Sequence, residues 1–416
     1  MYLNEQQQSG SNPDLDRANE ILVSPSQRFS FSSLVQPGSL AGYPSYSFGL
    51  GETPPPPKGL VLLDHVQIPK SPNSASPGTF INGALSKLVV SDMNPGFIDA
   101  SDNLITDTSS TGLQTCLQKL ITSQFQNYLS SKSNTSPAAG DRLRVALVDL
   151  TGNKISKPEF AGWGSTVAMY AASSAKVLAV YAAHQLRMDV RNIASTQKIS
   201  DGKILERTAL QTWKLARGPN LNWLFDIRSW SGNPASLNFS VAAKDAIAGI
   251  MHNEHAADLI TNVSFPYIAS VTWQSGLFHP KRGGLWLTGS YGKGGWDNNP
   301  IPGVMSANIT ALSSATFFTL LAQGRLVDDA SSADISNSLN GGCITWLFPI
   351  PGVVASKCGI WSDYLHDCAL IRHGSVRYVV VGLTRTEVSE RPKYQQLFLE
   401  LDKLIVQNNQ SPKPAC

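Results

Sequence analysis

The sequence predicts an α+β protein: a mostly antiparallel sheet backed by terminal helices, with a helical insert. Three observations carry this. The stretch GLQTCLQKLITSQFQNYLSS (112–131) spaces its apolar residues along one helical face. VVASKCGI, HDCALIRHG and VRYVVVGLTR read as three successive strands near the C-terminus. RPKYQQLFLELDKLIVQ then closes the chain as a second terminal helix.

The elements follow in order. Residues 1–105 are rich in Ser, Pro, Asn and Gly, and GETPPPPKGL (51–60) is a polyproline-like spacer. This region reads as an irregular extension without its own core. After the first helix, RLRVALVDLTG (142–152) is a strand ending in a turn, and KPEFAGWGS begins its hairpin partner. MYAASSAKVLAVYAAHQL (169–186) is a loop turning into an apolar helix. SVAAKDAIAGIMHNEHAADLI (240–260) reads as two helices joined at a polar corner. NITALSSATFFTLLAQGRLV (308–327) is another helix, capped by Asn308 or Thr310 and ending near Gly324. The compact domain is therefore expected over 106–410. Its sheet part is 106–165 and 340–410, and its helical part is 166–339.

Bulk composition narrows the function. The chain has 416 residues, 42% hydrophobic and 15% charged, with a net charge of +3. No dense Lys/Arg block appears, so nucleic-acid binding has no electrostatic footprint. No run of eighteen apolar residues occurs, so no membrane span is expected. The opening segment lacks a basic and an apolar signal region, which makes the cytoplasm the expected location. Five cysteines (116, 343, 358, 368, 416) lack CxxC spacing and form no zinc pattern or dense disulfide framework, although one bridge remains open.

The pattern that carries chemistry is Ser-x-x-Lys. It occurs at Ser173/Lys176, Ser195/Lys198, Ser200/Lys203 and Ser290/Lys293. Only Ser173 opens a long apolar helix, which places Ser173 and Lys176 on one face. A helix start also offers backbone N–H groups to developing negative charge. A partly desolvated lysine loses its charge more easily and can take the serine proton. The bland alternative is a simple helix cap.

With Ser173-x-x-Lys176 after a strand hairpin, Lys357-Cys358-Gly359 on one late strand and Asp367-Cys368-Ala369-Leu370-Ile371 on the next, the chain resembles the serine β-lactamase and penicillin-binding transpeptidase superfamily over roughly 110–408. The resemblance implies a β-lactamase/transpeptidase-like fold and a serine hydrolase acting on an amide, ester or β-lactam carbonyl. It implies a small-molecule or peptide-like acyl substrate and no cofactor. Lys357 would hold a substrate carboxylate or tune the site. The oxyanion hole would be the N–H groups of Ser173 and Ile360. Cys358 replaces a hydroxyl residue, as a buried filler or a second thiol.

The chain departs from the family at its Ser-x-Asn motif. SGN (231–233) has the distance but no leading helix, and the better local match puts His252-Asn253-Glu254 in that place. His252 would then relay a proton to the leaving group. Glu254 would pair with Lys176 or act as the base itself. His252, Glu254 and His255 are too sparse a set for a metal site. A second departure is the missing Ω-loop glutamate of class A enzymes: no glutamate lies between Glu254 and Glu387, and Asp297 is the single carboxylate of GGLWLTGSYGKGGWDNNPIPG (283–303). That segment reads as a flexible lid whose Trp286, Tyr291 and Trp296 either line the pocket or pin the loop. A slowly deacylating enzyme, an esterase, amidase or acyl transferase fits best. A non-catalytic or acyl-transferring binding protein on the same fold is the alternative.

Overall fold

The computed structural model describes residues 112–125, 142–155, 158–213, 218–275, 277–279, 283–296, 307–340, 349–386 and 388–410. The extension at 1–105, Asp297, Cys343 and Cys416 lie outside them. Within them the α+β architecture is as the sequence predicts.

A five-stranded antiparallel sheet is built from β1 (Leu143–Asp149), β2 (Glu159–Trp163), β8 (Val353–Trp361), β9 (Tyr364–His373) and β10 (Val376–Arg385). Its order is β2-β1-β10-β9-β8, so β8 is an edge strand. Every residue of β1 is buried. The two-residue alternation of a half-exposed strand is absent because both sheet faces are covered.

On one face lie α1 (Leu113–Gln124) and the closing helix α9 (Arg391–Asn408). Leu113, Leu117 and Ile121 of α1 recur every four residues and pack with Tyr394, Leu397, Phe398, Leu401 and Ile405 onto Val145, Leu147, Tyr378 and Val380. On the other face lies α7 (Ala311–Ala322), buried at every position except Leu312. A helix buried on every side is interior, its few hydroxyl residues included, and α7 packs on β1, β9 and β10. It falls inside the stretch assigned from sequence to the helical part, yet it belongs to the sheet's core. Thr310 is its N-cap, in a reciprocal capping box with Ser313. Asn308, the other candidate cap, sits in a strand instead.

The helical subdomain gathers around α2 (Val177–Thr196), with α3 (Gly202–Trp213), α4 (Val241–Ala248), α5 (Asn253–Val263) and α6 (Phe265–Gln274). The expected polar corner is the short Gly249–His252 link between α4 and α5. Buried Asp189 on α2 accepts hydrogen bonds from Gln185 Nε2 at 2.9 Å and Tyr267 Oη at 2.5 Å, tying α2 to α6. Burial pushes its carboxyl up to about 7.

Hairpin β4 (Phe278–His279) and β5 (Gly283–Gly284) is followed by a small sheet of β3 (Met169–Tyr170), β7 (Ala307–Ile309) and β6 (Trp286–Leu287), in that spatial order. Met169 pairs with Ile309, and Trp286 with Asn308. This sheet fastens the Ser173 loop to the loop that follows β6. Helix α8 (Asp329–Ser338) precedes β8, and the Leu339 carbonyl accepts the Ser356 N–H at 2.9 Å across the open edge. Among the described residues no helix is long and apolar enough to cross a membrane.

Thr310→Ala removes the capping oxygen of the central helix. We expect a loss of about 1 kcal/mol, read by urea denaturation of the full chain.

Candidate functional site

The site begins where β3 ends. Ala171 donates its N–H to the Ala307 carbonyl at 2.8 Å, and the chain then enters a 3₁₀ turn, Ala172–Lys176, that runs into α2. Ala172 has a φ of 46° without being glycine. Left-handed backbone at such a residue is strained and persists only when its surroundings hold it. Three contacts do so. Tyr291 Oη donates to the Ala172 carbonyl at 2.7 Å. His366 on β9 bonds the Tyr170 carbonyl through Nε2 at 2.7 Å. Its Nδ1 accepts the Thr384 N–H at 3.1 Å, so Nε2 carries the proton and the ring is neutral. Burial pushes the His366 imidazole down to about 4. Third, Gly359 on β8 lies against the turn. A Cβ there would come within 2.5 Å of the Ala171 carbonyl and 2.6 Å of Ser174 Oγ.

The turn separates its two serines. Ser174 is 2% exposed, with its hydroxyl turned into the core. Ser173 is half-buried and reachable. In the first turn of a helix its N–H has no intrahelical acceptor. Lys176 is fully buried. Its Nζ donates to Asn253 Oδ1 at 2.6 Å and to the Met251 carbonyl at 3.4 Å, and lies 4.7 Å from the centroid of the Tyr291 ring. Carbonyl oxygens and a π face are both favourable neighbours for an ammonium.

The structure brings 252–254 rather than 231–233 to this lysine. Asn233 caps its own turn, accepting the Ala235 N–H at 3.0 Å. Within His252-Asn253-Glu254, however, the residue bonded to Lys176 corrects the expectation. His252 is the N-cap of α5, Asn253 its first residue, and Glu254 sits exposed in the first turn. Successive helical residues are rotated by about 100°. The side chain aimed at Lys176 is therefore the amide of Asn253, and Glu254 stands one step further round. Sequence reasoning missed Asn253. The signal was present: this tripeptide holds one amide, and its oxygen is a neutral acceptor for the lysine. His252 is exposed, with its ring 6.2 Å from that of His255.

The β8 wall carries the remaining candidates. Lys357 is 1% exposed, and its Nζ donates to the Cys358 carbonyl at 2.7 Å. It pairs across the sheet with Cys368. Cys358 is disulfide-bonded, as is Cys116, so residue 358 is neither filler nor a free thiol. Cys368 is a free, buried thiol that burial pushes up to about 12, which leaves it protonated and inert. The Ser356 N–H points out of the sheet edge to Leu339. By the two-residue alternation of a strand, the Ile360 N–H points out of the same edge. It does so next to Gly359, which touches the Ser173 turn. Ile360 and Trp361 are exposed beyond it.

Context also disposes of the other Ser-x-x-Lys pairs. Ser195 and Lys198 lie at the end of α2, and Ser200 and Lys203 at the start of α3. Ser290 Oγ donates to the Gly294 carbonyl at 2.6 Å, closing its own loop, and Lys293 pairs with Asp258 of α5. In that loop the aromatic residues divide their tasks. Trp286 is buried against Phe278 with ring centroids 4.4 Å apart, and Trp296 stacks on Phe265 at 6.2 Å. Both pin the loop, whereas Tyr291 reaches the site. Among the described residues no group of three or more His, Cys, Asp or Glu is placed to hold a metal.

No protein-family model matches the chain, and no curated protein matches it. Solved structures that it resembles include a β-lactamase from Burkholderia phymatum, 14% identical over 72% of this chain and 99% of that one, with a TM-score of 0.42. A β-lactamase from Chitinophaga pinensis is 10% identical over 68% of this chain and 97% of that one, with a TM-score of 0.41. A mutant of PBP-A, in an acyl-enzyme complex with penicillin G, is 14% identical over 67% and 96%, with a TM-score of 0.37. These likenesses are distant and concern the fold. At such identities and TM-scores they carry no argument about activity, which rests on this chain's own residues.

Two outcomes are expected of the frame. Gly359→Ala overpacks the Ser173 turn and costs about 1–3 kcal/mol by denaturation. The second concerns pH. His366 has its folded pKa below the unfolded value, so the stability it contributes is present above pH 6.5 and is lost as pH falls toward 4. Asp189 is shifted upward and works in the opposite sense over an overlapping range. The His366 contribution therefore shows in the difference between wild type and His366→Asn, which should shrink by about 1.4 kcal/mol per pH unit below 6.5.

Proposed function

We propose that the chain is a serine hydrolase that forms an acyl-serine intermediate on an amide, ester or β-lactam carbonyl. The observation that carries this reading is the turn at 172–176. A reachable Ser173 follows a strained Ala172, with a buried lysine one helical turn on. Strain held in place one residue before a half-buried serine is hard to account for as helix capping alone.

In the reaction, Ser173 Oγ bonds the carbonyl carbon as Lys176, in its neutral form, takes the hydroxyl proton. The tetrahedral oxygen is met by the N–H groups of Ser173 and Ile360. Collapse breaks the bond to the leaving amine or alcohol, which receives a proton by way of His252. Water or an amine then adds to the acyl-serine, the acid or amide departs, and Ser173 regains its proton. Asn253 orients Lys176. Lys357, buried beneath the strand, tunes the charge of the site rather than reaching out to substrate. No cofactor takes part in these steps. We also place the chain in an oxidising compartment in preference to the cytoplasm, since Cys116 and Cys358 are disulfide-bonded.

A binding protein that kept the cleft without turnover is the second reading. It is favoured by the exposed Glu254 and by the disulfide at Cys358, where the resemblance expects a hydroxyl.

Intact mass after exposure to a panel of β-lactams and activated esters separates the readings. We expect one acyl group per wild-type chain, retained in Ser174→Ala and lost in Ser173→Ala. Absence of adduct with every donor favours the binding protein, and an adduct that survives in Ser173→Ala refutes this nucleophile.

A further inference from the structure

Tyr291 touches Lys176 and the residue just before Ser173, from outside the helix that carries the pair. Its hydroxyl reaches the Ala172 carbonyl, one peptide before Ser173, and its ring covers the Lys176 amine. Tyr291 is itself a non-glycine residue at positive φ, 49°. Two strained residues, Ala172 and Tyr291, thus face each other through one hydrogen bond.

The loop is built to present this side chain. Ser290 N–H and Oγ both bond the Gly294 carbonyl, at 2.9 and 2.6 Å, and the Lys293 N–H returns to the Ser290 carbonyl. Gly292 and Gly294, at φ of 119° and 92°, supply the reversals that a two-bond loop of this size requires. Trp296 N–H bonds the Thr288 carbonyl at 2.8 Å and closes the base. The Lys293–Asp258 ion pair fastens the tip to α5, the helix that contributes Asn253.

We infer that Tyr291 is a positioning residue for the acylating pair. Its hydroxyl holds Ser173 in the reactive backbone geometry through Ala172, and its ring keeps water off the amine of Lys176. The assignment rests on the Ser173–Lys176 reading above. The two functions are separable by substitution. Tyr291→Phe keeps the ring and deletes the bond to Ala172. Tyr291→Ala deletes both.

The test has two arms on the full chain. In the first, the rate of acyl-adduct formation on Ser173 is followed by mass against pH. We expect Tyr291→Phe to slow labelling about tenfold with the pH profile unmoved. Tyr291→Ala should slow it further and move the ascending limb upward by about one pH unit, because water solvates the protonated amine better than the π face it replaces. A role in folding alone would lower the melting temperature without moving that limb. In the second arm, the lysines are labelled with ¹³C at Cε, and the Lys176 signal, assigned with Lys176→Met, is titrated by NMR. The midpoint should rise by about one pH unit in Tyr291→Ala and stay in place in Tyr291→Phe. Wild-type rates and profile in both variants overturn the inference. So do Lys176 midpoints that agree across all three proteins. If wild type accepts no acyl group, the proposed hydrolase fails, and the titration by itself still decides whether Tyr291 governs Lys176.

Discussion

A buried lysine organises this site. Taking a lysine out of water is costly unless its N–H groups find oxygens or a π face. Lys176 finds both: Asn253 Oδ1 and the Met251 carbonyl from the link into α5, and the ring of Tyr291 from the loop after β6. None of these groups is near Lys176 in sequence. The start of α2, the start of α5 and the Tyr291 loop must dock together for this amine to be accommodated. The helical subdomain thus owes part of its arrangement to one side chain.

The second organising feature is the strained turn before Ser173. It is held from the sheet side by Gly359 and His366 and from the loop side by Tyr291. The sheet can supply this support because β8 is an edge strand whose outward N–H groups alternate with inward ones. The same edge that lets Gly359 approach the turn leaves the Ile360 N–H directed past it. Support of the Ser173 turn and the outward Ile360 N–H therefore draw on neighbouring residues of one strand. The neutral His366, bonded on both ring nitrogens, serves the turn without titrating near neutrality.

Much of this was legible in the residues themselves. The first strand, the three C-terminal strands and the terminal helices follow from apolar periodicity, a local property that burial of a face imposes on any amphipathic element. Helix α7 was recognisable as a helix, but its allegiance to the sheet was not. A helix without a charged face announces burial without saying what buries it. Ser173 was separable from the other Ser-x-x-Lys serines because it alone opens a long apolar helix. The choice of 252–254 over 231–233 also followed from helical context, and Asn233 proves to be spent on its own turn.

By itself, then, the sequence determined the element types, their order and the neighbourhood of Ser173, Lys176 and the Lys357–Ile360 strand. These depend on contacts within one element or on patterns a few residues long. Only the tertiary structure decided that Ser173 is reachable and Ser174 is not, that Asn253 rather than Glu254 meets Lys176, that Cys358 is disulfide-bonded, and that Tyr291 covers the lysine. Each of these turns on where two distant segments meet. A rotation of one residue about a helix axis changes the answer, and no local pattern records that rotation.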